Sequence, residues 1–531
     1  LVIADHAETL GTIARLMNAQ APEVAKTKSG KYMLELAGKK TPKELLDVYS
    51  TMSNIGSGIP NDSGLTPMDL VKDLHGENIR QPWYEHIDTA DAHNEPGKFT
   101  AMIGWEWTSQ PGGKNLHRVI FTPDNAEKAR KYLPFSTLES SDPEKLWEWL
   151  AIQEEKVGTE FLAIPHNPNI SGGTMFSFNR LNGKPIDREY AETKMKYEKS
   201  IEITQIKGDS ETLPMFSPDD QFADFETFQF QSRPDGKSEK ATKNDYVRAG
   251  LRNGLQIEEK VGVNPYKIGF AAGTDSHVGI PAIAENNFGG KSGKDDIPEK
   301  RSKPSGIGAS VGWDMGAAGF TAVWATENNR REIFESFRRN EIYASTGPRI
   351  TLRSFAGFDL NEDNLNQDTF VEDGYTRGVP MGGDIKITGK NKAPGFTIAV
   401  SKDPRGANLD RVQMIKGWIN KDGSTSEKVY DVALSDGRTS GDQLVGNTVD
   451  LETAMYTNDI GEEEFRTFWR DPDFDADQSA FYYIRVLEIP TPRHSLYDSI
   501  ALGIDVKETG RPATIQERVY GSPFWYSPNE G

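Results

Sequence analysis

Residues 268–277 read IGFAAGTDSH, and the way this stretch ends decides how the first half of the chain is read. A short apolar run, closed by Gly273, delivers Asp275 and His277. A spacing of two puts both side chains on one side of an extended chain. The same construction recurs upstream. LVIADH (1–6) ends at Asp5 and His6, MIGWEW (102–107) carries Glu106, NLHRVIF (115–121) carries His117, and FLAIPHN (161–167) ends at His166. Each apolar run predicts a buried parallel strand. Carboxylates and imidazoles at the C-terminal ends of successive parallel strands are where a β/α barrel builds its active site. Nitrogen and oxygen donors together suit zinc, manganese or iron. The expectation is a metal-dependent hydrolase.

Taken singly, each histidine is more often a packed side chain than a ligand; the joint pattern carries the argument. Four of the eight histidines, His6, His117, His166 and His277, sit at or beside predicted strand ends. The other four, His75, His86, His93 and His494, lie in polar surroundings and read as surface or loop residues. Glu106 stands between Trp105 and Trp107, and a carboxylate buried there is costly unless a cation faces it. Asp5 precedes His6 and so points to the other side of a regular strand, where it could orient an imidazole. Arg118 and Lys207 are candidate cations for an anionic substrate, with Asn115 and Asn167 as flanking polar groups. Ser210 has no base paired with it in sequence. QPGGKN (110–115) lacks the spacing and the Lys-Ser/Thr pair of a phosphate loop.

At 531 residues the chain exceeds what one core supports. After LVIADH, residues 7–98 read as mostly helical and polar, and a strand–helix alternation then runs from 99 to about 350, including a helix opened by Ser141–Glu144 and stopping near Gly158, a helix over 241–253, and a strand, helix and strand over 319–347. Thr41, Pro42 and Glu44 predict another helix start, and residues 54–64 predict a loop. Residues 284–312 are rich in Gly, Lys, Asp and Ser and predict a long mobile loop near the site. Residues 351–531 change texture: FTIAVS, RVQMIKGWI, EKVYDVAL and AFYYIRVLEI are strand-like, separated by turn residues. An all-β, sandwich-like second domain is expected there.

The formal charge of −19 argues against a broad basic face for nucleic acid or an anionic membrane, and it leaves room for a local pocket that takes a small anionic substrate. The absence of cysteine excludes disulfides, thiolate nucleophiles and Cys-ligated zinc. No apolar stretch approaches the roughly 18 residues of a membrane span. An acidic, cysteine-free composition favours export to the periplasm or beyond. The chain opens at Leu1 inside a predicted strand, so a segment upstream of this sequence is expected.

These segments resemble a bacterial family catalogued only as a domain of unknown function, number three-six-zero-four. The matching stretches are GWEWTSQPGGKNLHRVIF, AIPHNPNISGG, EITQIKGDSETLP, GTDSH, AVWATENNRREIFESFRRNEIYASTGPRI, FYYIRVLEIPTPRHSLYDS and SPFWY. Through shorter motifs the family looks like the polymerase-and-histidinol-phosphatase (PHP) type of metal-dependent phosphoesterase. That resemblance implies a distorted, TIM-type β/α barrel with two or three divalent ions at the strand ends. It implies His6, Glu106, His117, His166, Asp275 and His277 as ligands, and Asp5 from the Asp-His motif. PHP-type proteins begin with a His-x-His strand, which this chain lacks, and Pro492-Arg493-His494 stands where relatives tend to carry Cys and Trp. The expected activity is hydrolysis of a phosphoester by a metal-activated water, with Arg118 or Lys207 stabilising the transferring group. A sulfate ester, lactone or amide could be cut at the same site. A non-catalytic protein that binds a glycan or surface ligand, with a degenerate barrel, is the third reading.

Overall fold

The structure is a computed structural model that describes residues 1–38, 63–229, 240–305, 309–316, 318–386, 392–441 and 443–528. The helix expected at Thr41–Glu44 and most of the loop expected over 54–64 lie outside these residues.

Strand β1 (Ile103–Trp107) pairs antiparallel with β2 (Arg118–Thr122), and β2 pairs antiparallel with β3 (Leu162–Pro165). Residues 1–6 run parallel to β1 along its free edge, through bridges at Val2–Met102 and His6–Glu106. Gly104 permits that approach, since a Cβ there would stand 2.7 Å from a Val2 methyl. Strand β4 (Ser200–Gln205) packs beside β3; it pairs antiparallel with the two-residue β5 (Gly208–Asp209) and parallel with β6 (Gly269–Ala272). Strands β7 (Phe320–Val323) and β8 (Ile342–Ser345) follow beside β6, joined by the helix Arg330–Arg338.

This corrects the expectation that every apolar run is a parallel strand. Strands β1, β2 and β3 form an antiparallel meander, and among the described residues the sheets do not close into one barrel. The reason is that a run buried on both faces reads as continuously apolar in either pairing sense. Here Ile103, Trp105 and Trp107 pack under a helical layer with Trp83, Trp147 and Phe161, while Gly104 and Glu106 face the other way. The indoles also anchor loops: Trp105 donates to the Phe135 carbonyl at 3.2 Å and Trp107 to the Ser140 carbonyl at 3.1 Å. The helix Pro143–Val157 forms as its sequence predicts. The Asp142 side chain accepts from the Glu144 amide, Pro143 takes the first turn, and Gly158 closes it with φ +70°. Its Leu146, Trp147 and Leu150 are buried, each stabilising the layer by roughly 1.5–3 kcal/mol.

Beyond residue 350 come β9 (Thr351–Gly357), β10 (Val379–Pro380), β11 (Gly395–Ser401), β12 (Leu409–Ile419), β13 (Thr425–Leu434), β14 (Glu464–Arg470), β15 (Ala480–Glu488), β16 (Thr491–Pro492), β17 (Thr514–Ile515), β18 (Arg518–Gly521) and β19 (Phe524–Tyr526). One sheet has the order β10-β9-β11-β14. A second has the order β13-β12-β15-β18-β8-β7, with β19 also on β15. The two share one core, in which Leu352, Phe396 and Ile398 meet Val412, Met414, Tyr482 and Ile484. The half is β-rich and not purely β, since it carries the helices Phe370–Arg377 and His494–Leu502. The second sheet takes strands from both sides of residue 350, because β8 pairs with β18.

Strand β15 is the hinge pin of this arrangement. Tyr482, Ile484 and Val486 face the sandwich core, while Phe481 and Tyr483 pack with Ile203, Leu251 and Phe270 of the first half. Arg485 extends the same contact as an ion pair. It donates to Glu211 at 2.8 Å and to Asp220 at 2.7 Å, and Arg248 donates to the same two carboxylates at 2.6 and 2.7 Å.

The described residues of 284–312, expected as a mobile loop, and those just after it are strapped down. Arg301 pairs with Asp498, Trp313 donates to Asp498 at 2.9 Å, and Arg511 donates to Asp314 at 2.8 Å. His494 and His75, expected at the surface, are buried. His494 stacks on Phe288 at 4.0 Å with its Nε2 2.8 Å from the Met315 carbonyl, and His75 Nε2 lies 3.2 Å from Glu139. An imidazole has an apolar body and a polar tip, so polar neighbours in sequence do not fix its exposure.

Candidate metal centre

Glu106 organises the site. It points away from the tryptophan layer, and three imidazoles from other segments surround its carboxylate. Its Oε1 lies 2.7 Å from Nδ1 of His117 and 3.1 Å from Nε2 of His166; its Oε2 lies 3.4 Å from Nδ1 of His6. The strand register explains this. His6 bridges Glu106 on one side, and on the other side the loop ahead of β2 and the end of β3 bring in His117 and His166.

The six expected ligands form one contiguous cluster. The rings of His117 and His166 are 5.4 Å apart, those of His6 and His117 6.3 Å, and those of His6 and His277 5.6 Å. His277 Nε2 in turn lies 3.4 Å from Asp275 Oδ1. Asp275 lies just past β6 with φ +45°, so its closeness to His277 comes from a turn and not from strand alternation. Glu106, His117 and His166 are the tightest group: each offers a ligand atom within 4.8 Å of the others, and all three are buried.

These three residues fit a cation better than they fit each other. Both nitrogens of His117, Nδ1 of His166 and Oε1 of Glu106 have no hydrogen-bond partner, although they are buried and some lie within 3.1 Å of one another. Buried polar atoms without an aligned hydrogen-bond partner call for another partner, and a cation is one that all three residues could share. Donors held about 2.0–2.2 Å from a tetrahedral ion stand roughly 3–4 Å apart, which these residues nearly match. The one-carboxylate, two-imidazole set is of the kind that zinc, manganese and iron take.

The electrostatics agree. Burial pushes the Glu106 carboxyl up, but the rings of His6 and His166 outweigh it and hold the group well below the usual carboxylate range. Burial lowers His117 to about 4, which keeps the ring neutral and able to ligate. His166 is raised because Glu106 outweighs the cost of its burial.

The remaining expected residues divide. Lys207 reaches the cluster and contacts Asp275 Oδ2, which also accepts from Gln205 Nε2 at 2.8 Å. Asn115 holds the loop after β3, donating to the His166 carbonyl at 2.8 Å and the Asn167 carbonyl at 3.3 Å. Asn167 is buried with φ +51°, and both its side-chain polar atoms lack partners. Arg118 is elsewhere. It is the residue after His117 and so faces the opposite side of β2, where it donates to Glu198 at 3.0 Å and lies over Trp107. Asp5 is exposed and lies 4.0 Å from His86, away from the cluster's imidazoles.

Two residues in the site have no counterpart in the sequence reading. Glu202, on β4, is buried with Oε2 unpartnered, and burial raises its carboxyl to about 8. It lies in an apolar run, SIEITQI, with the same signal that marked Glu106. Lys291 comes from the turn after Gly290; burial lowers its ammonium to about 8, and its Nζ lies 3.7 Å from Asp275 Oδ2. Nothing in its Gly/Lys/Ser-rich surroundings distinguishes it in sequence.

One family model matches the chain, over residues 1–528, and it describes a "Protein of unknown function (DUF3604)". No curated protein and no solved structure matches it.

Proposed function

We propose that this chain, which belongs to the DUF3604 family of proteins of unknown function, is a metal-dependent hydrolase and acts on phosphoesters. The observation that carries the proposal is the convergence of Glu106, His117 and His166 without hydrogen bonds among them. His6, Asp275 and His277 stand close enough to complete a site for two or three ions. Bound there, a divalent ion supplies Lewis acidity for attack of water on an ester.

The protein's own groups do the rest. Lys207 places a buried ammonium beside Asp275, where it can stabilise negative charge on the group being transferred. Asn115 fixes the backbone that carries His166. The tryptophan layer under β1 keeps water from the back of Glu106. A PHP-type barrel is the architecture we infer behind this site. It is supported by the succession of residues 1–6, β1, β2, β3, β4, β6 and then β7–β8, with ligands gathered at one end. Export from the cytoplasm is part of the same proposal and rests on composition alone.

The test is elemental analysis of the purified chain by plasma mass spectrometry, beside the variant His166→Ala, followed by a panel of nitrophenyl phosphate mono- and diesters, a sulfate ester and a lactone. Bound zinc, manganese or iron that is lost in the variant, with turnover of a phosphoester, is the expected result. Equal metal content in both proteins would overturn the proposal. Turnover of only the sulfate ester or lactone would keep the site and change the bond.

A further inference from the structure

Lys291 is delivered to the site by a built turn. Gly290 precedes it with φ +67°, and a Cβ there would stand 2.2 Å from the Asp295 carbonyl oxygen, so only glycine fits. The buried Asp295 accepts from the Lys291 amide at 3.0 Å and from the Ser292 amide at 2.8 Å. Its carbonyl accepts from Arg301, which is ion-paired to Asp498 in the C-terminal half. The Lys291 carbonyl accepts from the amide of His277 at 2.7 Å.

The side chain ends beside Asp275. Its Nζ donates to the Asp275 carbonyl at 3.1 Å, near the Oδ2 atom that Lys207 already contacts. Both lysines are less than a tenth exposed. Two buried ammonium groups therefore share one carboxylate, and water reaches neither well enough to solvate the surplus charge. The carboxylates of Glu106 and Asp295 also favour the charged form of Lys291, but from beyond ion-pair distance, and Asp275 alone pairs with both lysines. A cation bound at the imidazole cluster would enlarge the imbalance. An anionic group carried by a ligand would correct it.

We propose that Lys291 and Lys207 together form the seat of a tetrahedral oxyanion, the phosphoryl or sulfuryl group of the substrate. The inference rests on the hydrolase reading for the bond that is cut, and it narrows the substrates to phosphate or sulfate esters over lactones and amides. Lysine suits the task as a point charge that adapts to either oxyanion.

The experiment is calorimetric titration of the full chain with inorganic phosphate and, separately, inorganic sulfate, with metal content measured on the same preparation. A saturable site is expected, weakened roughly tenfold or more in Lys291→Gln and in Lys207→Gln. Lys291→Arg should bind within a few fold of the parent, and Lys145→Gln, at an exposed ion pair, should be unchanged. The tighter of the two anions identifies the group. Parental affinity in Lys291→Gln, or no binding of either anion by the parent, would overturn the seat. Should Lys291→Gln fail to fold, Lys207→Gln reads the same seat from the strand side. If the parent holds no metal, the hydrolase reading falls, and the lysine dependence of anion binding still decides this one.

Discussion

Nδ1 of His117 lies 2.7 Å from Oε1 of Glu106, and neither atom has a hydrogen-bond partner. Two such atoms buried against each other lose their water and gain nothing for it unless a third body binds both. The folded chain should therefore be stabilised by an ion that the unfolded chain cannot hold. Adding zinc or manganese to chelator-treated protein should raise its melting temperature, by the equivalent of about 2.7 kcal/mol when free metal is a hundredfold above Kd. Glu106→Gln and His117→Ala should show no such rise. A metal response in both variants equal to the parent's would place the ion elsewhere.

Arg118 makes a contrary prediction to the one its neighbour suggests. It pairs with Glu198, which also accepts from Trp147 at 3.0 Å and contacts Lys194, all in a dry pocket. Replacing it by methionine strands part of that network. Arg118→Met should lose roughly 3–5 kcal/mol of stability in denaturant unfolding. Its metal content should be that of the parent. Loss of metal or of anion binding at unchanged stability would return Arg118 to the site.

The contrast between His117 and Arg118 shows how far the sequence could be read. Apolar runs ending in His and Asp located six residues that do lie together, because strand ends are short and the residue type at each is costly to bury without purpose. Pairing sense was not legible, since β1, β2 and β3 are covered on both faces and look the same whether parallel or antiparallel. Arg118 was legible in principle: one residue from His117 on a strand is the wrong face. Lys291 was not, because its position depends on a turn held by Asp295 and Arg301 and tied to Asp498, which is distant in the chain. The strap at Arg301 and Trp313 was invisible for the same reason, since its fastening at Asp498 lies nearly two hundred residues downstream.

Glu202 should report the state of the site through its own proton. Burial raises its carboxyl from the ordinary 4.5 to about 8, so the folded chain keeps a proton that the unfolded chain has lost. A raised carboxyl favours the folded state fully below about 4.5, and that advantage is lost as pH climbs toward about 8. Glutamine has nearly the same shape and no proton to lose. In chelator-treated protein, Glu202→Gln should therefore gain on the parent between about pH 5 and pH 8, by on the order of a few kcal/mol. A constant difference across that range would mean that Glu202 ionises normally in the folded chain.

His494 carries the opposite sign and fixes the strap. Burial lowers its ring to about 4, with Arg493 and Arg301 adding to the effect and Asp498, 4.0 Å from Nδ1, opposing it. The ring stacks on Phe288 and engages the Met315 carbonyl, so it clamps both ends of the segment that presents Lys291. Below about pH 6.5 the unfolded chain binds a proton there that the folded chain refuses until about pH 4. Stability should fall across that window by roughly 3 kcal/mol from this residue alone. His494→Gln, which keeps a donor but cannot titrate, should be less stable than the parent near pH 7.5 and lose most of that deficit by about pH 4. Unfolding curves at both ends of the window decide it. A deficit that stays constant would mean that the His494 ring titrates in the folded chain as it does in the unfolded one.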